Sequence, residues 1–215
     1  MARKKKLLVV TAGILFFTLI IPGVYFIARS RTGQKNTINV SDVMPYLKDG
    51  DIILRLSDSP WSSMFRNFSL TDKRFSHLGI ARIRDKDISV INSVGYITQR
   101  ERGVEEVSLE KFLQVAKAIG VFRAKSITDG AIISDKAAEY TGYPFDWDFD
   151  IRDESKIYCT ELLYVALKYA APEIILPTIF LDITGKEIIP LESVSNSSDF
   201  DEIIYICTSG AAGLD

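Results

Sequence analysis

"SHLGIARIRDKDISVINSVGY", residues 76–96, reads as a β-hairpin. Leu, Ile and Val dominate both arms, and Arg84-Asp85-Lys86-Asp87 supplies a polar turn between them. The first arm opens on His77, the only histidine among 215 residues, and the second carries Asn92. A lone histidine on a half-buried strand needs no chemistry to explain it. The rest of the chain decides what this one is for.

Upstream, "VSDVMPYLKDGDIILRLS" predicts a short helix, a Gly50–Asp51 turn and a strand over Ile52–Leu56. "SPWSSMFRNFSLTDKRF" is polar and aromatic, and predicts a long loop with some helix. Downstream come a strand at "VEEVS", a short helix at "LEKFLQVA", a strand at "IGVFRAK" and a helix in "TDGAIISDKAAEYTG" closed by Gly142 and Pro144. An aromatic, acidic loop, "YPFDWDFDIRDESK", leads into "IYCTELLYVALKYA", with Asp153, Glu154 and Ser155 just ahead of it suiting a helix N-terminus. There Tyr158, Leu162, Val165, Ala166 and Tyr169 recur at helical spacing, and Pro172 marks the end. Short strands at "GKEIIPL" and "DEIIYICTS" finish an α+β pattern with an antiparallel sheet packed against helices.

Ahead of all this runs an uncharged, mostly apolar stretch, residues 7–28. At about 1.5 Å per residue it is long enough to cross a hydrocarbon core of about 30 Å. It exceeds the apolar region of a secretory signal and lacks a small-residue cleavage motif, so residues 1–31 are read as an uncleaved N-terminal transmembrane anchor. Four basic residues precede the run and two follow it. The heavier positive flank stays cytoplasmic, which places the remainder outside the inner compartment, at the periplasm or cell surface, on a single-pass inner or plasma membrane anchor. Residues 32–40 read as a linker and 41–215 as one domain. Setting aside the six basic residues of the anchor, the chain's 26 basic and 28 acidic residues leave the remainder near a net charge of −8. That argues against a nucleic-acid binder, which normally shows a basic face.

Two cysteines bear on chemistry. Outside the cell Cys159 and Cys207 could form a disulfide; with no C-x-x-C and one histidine, a zinc site is not expected. Cys159 opens the predicted helix, where unpaired N–H groups favour a thiolate and could hold an oxyanion. A thiol nucleophile needs a base, and only His77 can serve as the usual imidazole. Asn92, on the neighbouring arm, could accept from the imidazole and orient it. Tyr158 could donate to an oxyanion or pack, and Glu161 could anchor a loop. Asp146, Asp148 and Asp150 alternate as in a calcium loop, without the glycine and closing glutamate such a loop needs. "NFS" and "NSS" are sequons that matter only in a glycosylating host.

"DGDIILR", "FSHLGIAR", "VINSVGY", "YPFDWDFD" and "IYCTELLYVALKY", in this order, resemble the YiiX/YebB-like cysteine hydrolases, the circularly permuted branch of the NlpC-type papain-like superfamily. The resemblance spans about 49–170. It implies a permuted papain-like fold in which the histidine strand precedes the cysteine helix, with Cys159 as nucleophile and His77 as base. Asn92 stands where the family keeps a polar residue, often Glu or His, and Asp51 with Gly50 matches a structural turn. The implied activity is cofactor-free and metal-free hydrolysis of an amide or ester, in a cell-wall peptide or a lipid. A membrane-anchored, non-catalytic binding module retaining the fold is the rival expectation.

Overall fold

Alternation along the hairpin explains the sheet at the centre of the protein. The computed structural model describes residues 37–95, 102–182 and 185–208. Six antiparallel strands lie in the order β4-β3-β2-β1-β5-β8. They are β1 (Ile52–Ser57), β2 (His77–Arg84), β3 (Asp87–Ser93), β4 (Val104–Ser108), β5 (Ala116–Ala124) and β8 (Phe200–Cys207). A separate two-stranded ribbon pairs β6 (Ile179–Leu181) with β7 (Lys186–Ile188).

Each face of the sheet buries a different helix set. On one face Ile52, Leu54, Leu78, Ile80 and Ile91 form a core with α4 (Ala131–Ala138), α5 (Cys159–Ala170) and α6 (Glu192–Ser195). On the other, Ile53, Ala81, Val90, Ile119 and Val121 pack under α1 (Val40–Val43) and α3 (Leu109–Leu113). Successive strand residues point to opposite faces, so neighbours such as Ile52 and Ile53 serve different cores. A third cluster joins Phe145, Phe149, Tyr158 and Ile188 to Met64, Phe65 and Phe68 on or just after α2 (Pro60–Asn67). It is built largely of aromatic edges on faces, as between Phe68 and Phe149, whose centroids are 5.6 Å apart.

The hairpin turn falls where expected, with Asp85 in the left-handed region at φ 56°. The Asp51 turn is structural: its buried carboxylate accepts from Lys48 N–H at 2.7 Å and from Arg123 Nε and Nη2 at 2.7 Å each. Loss of that carboxylate in Asp51→Ala is expected to cost about 2–4 kcal/mol, seen as a lower urea midpoint at unchanged m-value.

Three expectations need adjustment. The linker ends early, because Ile38 is already buried and α1 starts at Val40. Strand β5 begins three residues ahead of "IGVFRAK", since Ala116 pairs with Ser57. The acidic residues before α5 do not cap it; Tyr158 holds the N-cap position and Glu161 accepts its N–H at 3.2 Å. The apolar run read as an anchor lies outside the described residues. Among the described residues, no helix is long and apolar enough to cross a membrane.

Candidate active site

His77 begins β2 and pairs with Arg55 of β1. Its ring Nε2 lies 2.9 Å from Asn92 Oδ1. Asn92 itself is buried, and its Nδ2 donates to the Glu105 carbonyl at 3.4 Å, which fixes which end of the amide faces the histidine. An amide oxygen only accepts, so the ring proton sits on Nε2. Nδ1, the nitrogen nearer the strand backbone, is left as the basic site.

Cys159 is the first residue of α5 and is 4% exposed. Its surroundings hold the helix start rigidly. Ser93 Oγ donates to the Ile157 carbonyl. Ile189 is gripped from both sides: its N–H donates to Tyr158 Oη at 3.0 Å and its carbonyl accepts from Thr160 Oγ1 at 2.6 Å. The sulfur meets the backbone N–H groups of Leu78, Thr160 and Cys159 itself. Leu78 directly follows His77, so the Cys159 thiol lies against the strand that carries the histidine.

Leu78 belongs to the core under α5, whereas the His77 ring faces Phe112 of α3, with centroids 5.9 Å apart. Among the described residues no hydrogen bond joins the Cys159 thiol to the His77 ring. Burial pushes the thiol up to about 11, against the pull of those N–H groups and of Arg55. Burial, aided by the Arg55 charge and opposed by the Asn92 hydrogen bond, brings the imidazole down to about 3. The resting pair is therefore a neutral thiol and a neutral imidazole. Position at a helix N-terminus predicts a lowered thiol pKa; desolvation of the sulfur outweighs the helix end.

The other sequence candidates occupy definite places. Tyr158 packs on Phe149, with centroids 5.4 Å apart, and its hydroxyl is engaged by Ile189, so it builds the wall of the site. Glu161 is fully buried, and burial raises its carboxyl to about 8. Asp146 accepts from the N–H groups of Asp148 and Asp150 at 2.8 and 2.7 Å, while Asp148 pairs with Lys156 and Asp150 with Arg152. Among the described residues, no group of three or more His, Cys, Asp or Glu side chains converges as a metal site. Both cysteines are free thiols, with Cys207 half-buried on β8.

Sequence reading missed Ser93, Thr160, Arg55 and Phe112. Strand alternation could have found Ser93, because Asn92 and Ser93 must face opposite sides.

The family described as permuted papain-like amidase enzyme, YaeF/YiiX, C92 family, matches residues 46–194. The chain belongs to this family. The match encloses His77, Asn92 and Cys159 together with the elements that carry them. A solved structure described as the metalloprotein YiiX from Escherichia coli O157:H7 shares the fold: TM-score 0.60, 17% identity, 75% of this chain and 97% of that one covered. No curated protein matches the chain.

Asn92→Ala leaves the ring without its orienting acceptor. Turnover is expected to fall about 10- to 100-fold with little change in the thermal transition, as measured by product release beside a melt.

Proposed function

We propose that this C92-family protein is a cysteine hydrolase that opens an amide or ester bond through an acyl-enzyme on Cys159. Its substrate is a cell-wall peptide or a lipid, reached from a domain held outside the inner compartment by the N-terminal apolar segment. One observation carries the reading: the His77 ring proton is committed to Asn92, which leaves Nδ1 as a neutral base beside the strand residue that touches the sulfur.

A neutral pair implies that proton transfer accompanies attack. As Sγ bonds to the carbonyl carbon, its proton passes to His77 Nδ1 and the carbonyl oxygen takes the negative charge. The N–H groups of Cys159 and Thr160, at the first turn of α5, have no intrahelical acceptors and lie at the sulfur, so they are the donors available to that charge. Collapse breaks the bond to the amine or alcohol, which leaves with the proton from the imidazolium. Water, deprotonated by the same nitrogen, then attacks the thioester and returns the proton to sulfur. Thiol and ring must close on each other in the substrate complex, as catalytic contacts commonly do.

Two observations support a substrate near the envelope: the apolar run 7–28 and the aromatic cluster that adjoins the nucleophile through Tyr158. The test is to incubate the full chain in membranes with muropeptides and, separately, with phospholipid, beside Cys159→Ser. Release of amino groups marks a peptidase or amidase, and free fatty acid marks a lipid hydrolase. No Cys159-dependent product from either would overturn the hydrolase reading in favour of a binding module.

A further inference from the structure

We infer that Arg55 is a positioning residue of this dyad, a cation on the neighbouring strand that seats Phe112 against the His77 ring. The inference rests on the hydrolase reading for its purpose, while its geometry stands on its own. Arg55 is the cross-strand partner of His77, so the two side chains share one face of the sheet. Its Nη1 donates to the Phe112 carbonyl at 2.6 Å, and its guanidinium carbon stands 4.3 Å from the centre of the Phe112 ring. That same ring lies 5.9 Å from His77, tilted by 31°. One aromatic side chain is thus held on the histidine by a residue that grips it through both backbone and π-face.

Backbone contacts lock the cation's own strand in place. Ser76 N–H donates to the Arg55 carbonyl at 2.8 Å, immediately before the histidine. Gly79 makes room for the seat: a Cβ there would lie 2.4 Å from Val90 Cγ1 and 2.9 Å from Phe112 Cε2.

The charge has a direction. A fixed cation disfavours imidazolium and favours thiolate, and Arg55 lowers both His77 and Cys159. The other ionisable groups around the dyad are Tyr158 at the N-cap of α5, Glu161 within α5, Asp146 beside Glu161, and Glu105 on β4, whose carboxylate pairs with Arg102 at 3.6 Å. In a water-poor site a positive charge also offsets the negative charge that forms on the substrate oxygen. Arg55 therefore adds to burial in keeping the base unprotonated at rest, and makes loss of the sulfur proton easier during attack.

The test is iodoacetamide alkylation of Cys159 in the full chain, followed by peptide mass spectrometry from about pH 6 to about pH 11. The parent is compared with Arg55→Met, Arg55→Lys and His77→Ala. Arg55→Met is expected to slow alkylation about 3- to 10-fold at fixed pH, moving the rising limb to higher pH by up to about one unit. Arg55→Lys, which keeps the charge, should recover most of that loss. A merely structural arginine would leave the profile unmoved. Superimposable profiles for parent and Arg55→Met would overturn the inference, as would a lysine variant as slow as the methionine one. If Arg55→Met has no cooperative melt, the lysine profile decides alone: parent-like supports the inference and a shifted limb overturns it. Failure of the hydrolase reading looks different, because His77→Ala would then leave substrate turnover unchanged whatever Arg55 does to the thiol.

Discussion

Cys159→Ala is expected to bring hydrolysis down to background, a loss on the order of 10⁴- to 10⁶-fold, while the protein still folds. The sulfur makes the only bond the mechanism requires between protein and substrate, so nothing else at the site can substitute. Removing it leaves the helix start intact, because the groups that fix α5 are its neighbours. Ser93 holds Ile157, Ile189 is clasped by Tyr158 and Thr160, and Glu161 accepts the Tyr158 N–H. The stability cost of losing one buried sulfur is about 1 kcal/mol, a shift of a few degrees in the melt. Initial rates beside a thermal scan check both halves. A variant that folds and still turns over would place the nucleophile elsewhere, with Cys207 the first alternative.

His77→Ala carries the second largest effect, about 10²- to 10⁴-fold in turnover, because the thiol then has no base to receive its proton. The neighbours cannot replace it. Tyr158 is pushed well above its ordinary range by burial, and Glu161 is raised to about 8 by the same cause. The pH dependence follows from the depressed imidazole. With the ring titrating near 3, the base is neutral throughout the physiological range, and activity is lost only as acid protonates it. The parent should hold a flat rate from about pH 8 down to about pH 5 and fall below that, whereas an exposed histidine would already fail near its ordinary value of about 6.5. Stability moves with the same group. An imidazole that titrates lower in the folded than in the unfolded chain contributes fully above the unfolded value. That contribution is lost as pH falls from there toward the folded value.

The hairpin and α5 were legible because their signals are local. Apolar residues alternate through Leu78–Ile91, a polar turn separates the arms, and the helix shows an apolar stripe closed by a proline. The nearness of His77 to Asn92 was legible for the same reason, since the hairpin register that pairs Ile80 with Ile91 puts Asn92 level with Gly79, two residues from His77 and on the same face. Arg55 was not, because its nearness to His77 depends on a register set across the long segment 58–76. No pattern within either strand encodes that register. The thiol was misjudged for a related reason. A helix N-terminus can be read from spacing, but the desolvation of Cys159 comes from Leu78 and the sheet beneath it, far away in sequence. Strand β6 went unseen because "PEIILPTIFL" is apolar without a period, and its strand is only three residues long. Tyr169 fits the helical stripe yet is 59% exposed, its ring centre lying 4.0 Å from the Lys136 ammonium of α4.

The most direct test of the central claim is to catch the acyl-enzyme. The full chain would be mixed with an activated acyl ester, such as a p-nitrophenyl ester, and intact mass followed over time with peptide mapping, beside His77→Ala and Cys159→Ala. We expect one adduct of the acyl mass, on the Cys159 peptide, that forms and decays in the parent. It should form at least about 100-fold more slowly without His77, and not at all without Cys159. An adduct that appears equally fast in His77→Ala, or that maps to Cys207, would contradict a Cys159–His77 hydrolase.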